Sequence, residues 1–281
     1  MARKSTWHAS RIILSIWTCS ISLPALSAFD ETYKLAIGAS INEFDTDLRI
    51  NSRDDSIDKE IDLEDTLGFD QRVRLTWARS DWRIASHHRL SLAYTLINRS
   101  SDLTSQKDIT IDGNKILAGA NLSSSVKTHV FDIEYIYSFY QRPDIELGVT
   151  AGIYWMNSLT DVAGSGNVIL EGEDQEKFIS DFSSSQRLIA PLPLIGLTAD
   201  YAVSDSWILR GSARYFAITI NDIDGYLLNM NLAAEYSFNK HFGAGLSASL
   251  FNVRVDHRGI ITNNSLNYKY NGVLGFIVIK Y

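Results

Sequence analysis

Cysteine is almost missing from this chain. The one copy among 281 residues, Cys19, sits inside the amino-terminal stretch, and the remainder has none, which excludes a disulfide framework. Thr18 stands where a lipoprotein signal needs a small residue, so Cys19 does not mark a lipid attachment site. Long apolar runs are also missing. Past residue 28 no run approaches the roughly eighteen residues of a membrane helix, so anything that spans a bilayer must be built from strands. Basic clusters are the third absence. With 26 Lys and Arg against 33 Asp and Glu the formal charge is −7, which excludes a nucleic-acid partner.

The amino terminus reads as an address. Arg3, Lys4 and Arg11 precede an apolar stretch over 12–23 and a small-residue exit over 24–28 ending in Ala28, the pattern of a cleaved secretory signal. About twelve apolar-leaning residues are too few for an uncleaved anchor, which needs roughly twenty. The expected organisation is therefore a signal peptide over 1–28 and one β domain over 29–281. Removing three basic and no acidic residues takes the charge from −7 to −10.

Beyond the signal, hydrophobicity repeats with period two. Tyr33, Leu35, Ile37, Ala39 and Ile41 share one face of a first strand, and Lys34, Ala36, Gly38, Ser40 and Asn42 the other. In the second strand Phe69, Val73, Leu75 and Trp77 alternate with Arg72, Arg74 and Thr76. The pattern recurs through Leu90–Leu96, Phe131–Tyr137, Ile145–Trp155, Ile195–Tyr201, Trp207–Tyr215, Tyr226–Tyr236 and Phe242–Leu250. A last strand carries Val273, Ile277, Ile279 and Tyr281 on one face, while Leu274, Phe276 and Val278 blur the other. That makes about ten strands, with eight or twelve as the alternatives.

Connections near 80–87, 140–144, 203–206 and 238–241 are short, and those near 45–67, 101–125 and 157–190 long, as short periplasmic turns and long external loops require. The short connection at 221–225 predicts an external rim that is tall over the first six strands and low over the last four. Residues 107–112 look extended and are expected to continue strand structure above the membrane.

A secreted soluble barrel or sandwich would show the same alternation with its apolar face inward. Three features favour lipid. Aromatic residues fall toward strand ends (Tyr33, Trp77, Trp155, Trp207, Tyr226, Tyr236, Phe238), the polar faces mix small residues with long charges, and an aromatic strand residue, Tyr281, ends the chain. The expected fold is an all-β, antiparallel, up-and-down transmembrane barrel with periplasmic termini. Its last strand would pair with the first, because an open edge in lipid costs several kcal/mol per unpartnered backbone group.

Over 29–281 the chain resembles the small outer-membrane β-barrels of proteobacteria. Ile61-Asp62-Leu63-Glu64-Asp65-Thr66-Leu67-Gly68 before the second strand, and Ala190-Pro191-Leu192-Pro193-Leu194-Ile195-Gly196 entering the sixth, resemble a poorly characterised branch of that superfamily. The resemblance implies fold and compartment, the outer membrane of a Gram-negative bacterium, and carries no assigned activity. The partners expected for such a protein are outer-membrane lipid and lipopolysaccharide, the barrel-assembly machinery, for which Tyr281 would be the assembly signal, and periplasmic chaperones.

Candidate chemistry lies on the polar faces. Arg72, Arg74, Arg89, Arg210 and Arg214 are expected to meet Asp132, Glu134, Glu146, Asp200 and Glu235 across a narrow lumen. They would act as salt bridges that fill it, or as the lining of a narrow channel for ions or small solutes. Hydrolase readings need a His beside a Ser, Asp or Glu. His87, His88 and His241 map to the periplasmic side, His129 shares the outward parity of Phe131, and Asp256 and His257 point to opposite faces as strand neighbours do. No catalytic residue, cofactor or metal is therefore expected. The acidic segment Asp45, Asp47, Asp54, Asp55, Asp58, Glu60, Asp62, Glu64 and Asp65 lacks the spacing of an EF-hand and reads as a solvated loop. The expected function is a structural or surface-interaction barrel with a largely filled lumen. A channel is the alternative, and a hydrolase the least favoured reading.

Overall fold

The computed structural model describes residues 29, 31–52, 58–106, 108–111, 114–169, 176–220, 223–258 and 262–281. The predicted signal, 1–28, lies outside the described residues. The elements are β1 (Tyr33–Ser52), β2 (Asp58–Asp62), α1 (Leu63–Leu67), β3 (Arg72–Ala85), β4 (His88–Thr104), β5 (Ile109–Ile111), β6 (Asn114–Ile116), β7 (Asn121–Gln141), β8 (Ile145–Ile169), β9 (Glu176–Ala202), β10 (Trp207–Ile220), β11 (Ile223–Ser237), β12 (Phe242–Arg258) and β13 (Thr262–Lys280). Ten of these strands pair in chain order into a closed antiparallel barrel, while β2, β5 and β6 add to it above the membrane.

Closure is made by β1 and β13, in register from Lys34↔Lys280 to Ser52↔Thr262. Below that ladder the Tyr33 amide donates to the Tyr281 carbonyl at 2.9 Å and the Tyr281 amide to the Tyr33 carbonyl at 2.8 Å. The ladder leaves no edge for lipid to solvate, which is the condition for spanning a bilayer with strands.

Burial identifies the lipid face. On β9 Ile195 is 67% exposed while its neighbour Leu194 is 1% exposed, and Leu232 and Leu246 stand outward at 62% and 64%. Outward leucines and isoleucines on almost every barrel strand form an apolar belt that only hydrocarbon can cover. Tyr33, Trp207, Tyr236 and Phe238 mark its periplasmic edge and Trp155 its outer edge. Trp77, expected in this girdle, instead faces inward and packs on Phe276 with ring centroids 6.0 Å apart.

Above the belt the wall is uneven. β8 and β9 extend for 25 and 27 residues, whereas β10 and β11 have 14 and 15. The rim is thus low at β10–β11 as expected, but it climbs again over β12 and β13, with 17 and 19 residues. Residues 109–111 do form a strand.

Two neighbouring pairs separate before their strands end. β3 and β4 pair only up to Thr76↔Leu96, and β9 and β10 only up to Tyr215↔Ile195. The outer part of the wall is therefore two curved sheets, β4-β7-β8-β9 and β10-β11-β12-β13-β1-β3, joined by continuous pairing lower down.

Candidate functional site

The lumen is filled in two layers of opposite character. In the periplasmic half the inward charges are Lys34, Arg79, Arg83, Arg89, Arg210, Arg214 and Lys280 against Glu31, Asp81, Asp132, Glu134, Glu146, Asp200 and Glu235. Seven of each sign leave no net charge with which to attract an ion. Arg214 grips Asp132 with both terminal nitrogens, at 2.8 and 2.6 Å, and also reaches the Asn229 amide oxygen at 2.9 Å. Arg79 donates to Glu134 at 3.1 Å and to Asp81 at 2.8 Å. Arg83 grips Glu146 at 2.8 and 3.2 Å. Arg89 and Arg210 share Asp200, each at 2.8 Å. Lys280, Arg210 and Lys34 surround Glu235, which is 1% exposed. Arginine dominates because its planar fork satisfies carboxylates two bonds at a time.

Toward the cell exterior the lumen turns apolar. Phe44, Val73, Leu75, Ile97, Val130, Tyr154, Leu194, Leu227, Phe251 and Val253 form one buried cluster. Phe251 stacks on Tyr270 with centroids 4.8 Å apart and planes 12° off parallel, and Phe44 and Tyr154 lean on the same pair. A cavity of about 210 Å³ reaches both layers, touching Arg79, Asp132 and Glu134 on one side and Leu75, Tyr154 and Tyr270 on the other.

A cap closes the stack. α1 folds into the mouth, where Glu64, 7% exposed, accepts from the Thr46 amide at 3.0 Å and from Arg99 at 2.5 Å. The Arg99 guanidinium lies 5.0 Å from the centroid of Phe44 and 5.1 Å from that of Phe69, and donates to the Asp70 carbonyl at 3.2 Å. That bond bridges the place where β3 and β4 part. Glu64, read from sequence as part of a solvated loop, is a buried latch. Among the described residues no group of three or more His, Cys, Asp or Glu is placed to hold a metal ion.

Of the ten charges singled out in the sequence, the structure brings together Arg89, Asp132, Glu134, Glu146, Asp200, Arg210, Arg214 and Glu235. Arg72 and Arg74 are corrections. Both face outward, Arg72 with its side chain 76% exposed and paired to Glu43 at 3.0 Å. The expectation took Phe69, Val73, Leu75 and Trp77 for the lipid side of their strand. They face the lumen, because at that height the interior is itself apolar. The outward positions at hydrocarbon depth lie further along, at Ala78, Ser80, Trp82 and Ile84, with Trp82 and Ile84 half exposed. The same parity turns Arg79, Asp81 and Arg83 inward, three luminal charges that sequence reasoning missed by ending the strand early.

The described histidine side chains meet neither a carboxylate nor a serine or threonine hydroxyl. His87 and His241 contact the Ser138 and Lys280 carbonyls, and His88 and His129 the Tyr135 and Tyr94 hydroxyls. The side chain of His257 lies outside the described residues.

No protein-family model matches the chain, and no curated protein matches it either. Among solved structures it is similar to the outer membrane protease OmpT of Escherichia coli, with 13% identity, TM-score 0.54, and coverage of 90% of this chain and 97% of that one. OprG of Pseudomonas aeruginosa matches at 10% identity and TM-score 0.34, covering 89% of this chain and 97% of that one. Ail of Yersinia pestis matches at 8% and 0.29, covering 88% and 99%. At such identities the likeness is one of fold, and a fold that carries a protease in one protein does not decide chemistry in another. The closed ten-strand barrel with its apolar belt is the architecture of Gram-negative outer-membrane proteins, and it sets this chain among the barrels of that membrane.

Proposed function

We propose that the chain is a non-catalytic outer-membrane barrel, closed to solutes, that serves as a structural or surface-interaction element through the tall wall of β7, β8 and β9. One observation carries this reading: the lumen is closed twice, by a charge-balanced layer below and an aromatic layer beneath the Glu64–Arg99 latch above. Either layer alone would obstruct ion flow, the lower by occupying the section with paired side chains and the upper by excluding water. Among the described residues no histidine pairs with a carboxylate or a serine or threonine hydroxyl, which speaks against a histidine-dependent hydrolase.

A narrow channel is the second reading, favoured by the internal cavity of about 210 Å³, and it would require both layers to move. Outer-membrane lipid and lipopolysaccharide surround the belt in either case. We assign Tyr281 as a recognition point for the barrel-assembly machinery, to which chaperones would deliver residues 29–281 after loss of the signal.

Conductance of the purified protein in planar bilayers tests the reading. No steady current is expected from the wild type, nor after Arg79→Ala with Arg214→Ala, since the apolar layer remains. Nor is current expected after Phe251→Ala with Tyr270→Ala, where the charged layer remains; only the four changes together, which open both layers, should admit flickering events. Steady wild-type conductance would put the channel in place of the closed barrel.

A further inference from the structure

We propose that the gap between β9 and β10 is a binding groove for one acyl chain of an outer-leaflet lipid, open from the bilayer to the apolar layer of the lumen. The two strands pair from Ile208↔Ala202 to Tyr215↔Ile195 and then part, although β10 continues to Ile220 along β11 and β9 runs on to Glu176 along β8. The next rungs would set Ala217 opposite Pro193 and Thr219 opposite Pro191. An added Cβ at Gly196 would stand 2.2 Å from the Ala213 carbonyl oxygen and 2.8 Å from the Arg214 Cα, the closeness of a non-hydrogen-bonded pair. Bonded rungs therefore fall on the odd residues of β9. At 191 and 193 proline supplies no N–H for them. The split is written into the sequence.

Its depth sets what can fill it. Pairing ends eight residues above Trp207, which at ~2.3 Å of height per residue of a strand tilted near 45° is ~19 Å above the periplasmic girdle, inside a band roughly 25 Å tall. Pro191 lies in register with outward Trp155. The gap thus opens within the hydrocarbon and reaches the outer headgroup interface near Thr219, roughly 28 Å up. On its inner side Leu192, Leu194 and Phe216 belong to or pack against the apolar cluster that includes Leu227. Below, the Arg214–Asp132 pair ends the apolar path.

Open sheet edges in lipid require a partner. β10 presents the N–H groups of Ala217 and Thr219 toward the gap, and the prolines leave β9 with carbonyls. A lipid acyl chain fits these edges: its ester or amide carbonyl accepts from β10, an amide-linked chain also donates its N–H to a β9 carbonyl, and its hydrocarbon covers half-buried Leu192 and Phe216. The other early separation, between β3 and β4, is different in kind. It is bordered by Arg74, Asn98 and Ser100 and bridged by Arg99 to the Asp70 carbonyl.

The test uses residues 29–281, folded in liposomes that contain a phospholipid with a photoreactive diazirine midway along one acyl chain. Labelled positions are mapped by peptide mass spectrometry after irradiation. Leu192 and Phe216, which face the lumen, are expected to label together with outward residues, while Val130, inward on the fully paired β7, does not. In Pro191→Val with Pro193→Val the restored donors let the rungs close, and labelling at 192 and 216 falls about tenfold, the population change expected from two new backbone bonds. Heat-modifiable migration confirms that the variant is folded. Labelling confined to outward residues, equal labelling at Val130, or labelling at 216 that survives the proline replacements overturns the proposal. So does labelling at 216 that a water-soluble aromatic solute abolishes, which assigns the groove to free apolar molecules.

Discussion

Arg214 holds the charged layer together, and its removal has a calculable consequence. The guanidinium makes two bonds to Asp132 and bonds to Asn229 through two of its nitrogens, with side chains only 7% and 10% exposed for Arg214 and Asp132. Glu134 would keep Arg79 at 3.1 Å and the Thr150 hydroxyl at 2.6 Å. Asp132 has no second ion-pair partner among the described residues. Arg214→Ala therefore leaves a buried carboxylate unmatched, at a cost of about 3–5 kcal/mol for breaking a buried pair from one side. The adjoining cavity admits water to Asp132 and draws the value toward the lower limit. Removing both charges, Arg214→Ala with Asp132→Ala, should cost less than either single change, because no charge is then stranded. Urea titration of the folded, heat-modifiable band, repeated for the four proteins of the cycle, measures these terms. A loss below about 1 kcal/mol for Arg214→Ala would place the pair with exposed salt bridges and refute the account of a tightly packed luminal layer.

Other variants probe the cap and the wall. Arg99→Ala takes the partner from buried Glu64 and frees Phe44 and Phe69, so α1 should leave the mouth; protease nicking within 63–70 should rise while the barrel still migrates as folded. Gly196→Val drives a side chain into the Ala213 carbonyl, and since two paired backbones cannot move apart locally it should cost at least the ~1–3 kcal/mol of ordinary overpacking, visible as a lower midpoint in the same titration.

The sequence announces this barrel more clearly than it announces what fills it. Alternation along β1, β9 and β12 reads without ambiguity because one face is apolar and the other small or charged, so lipid and lumen sort themselves. β3 defeats the same rule. Its outer half carries Val73, Leu75 and Trp77 inward and Arg72 and Arg74 outward, because the exterior there nears the lipid headgroups, which long arginine side chains reach, while the interior is an apolar cluster drawn from nine other strands. Hydrophobicity reports only that a residue avoids water. Which side of the wall offers that refuge changes with height, and height is fixed by register with neighbouring strands. The tyrosines of β13 carry the same lesson: Tyr268 and Tyr270 blur the polar face of the last strand when taken alone, yet they are the rings on which Phe44 and Phe251 stack. Pro191 and Pro193 lie at the other extreme. Their effect is local, since a missing N–H ends pairing wherever it points outward from a strand pair, so the β9–β10 gap could be placed from the sequence once the register of β8 was known.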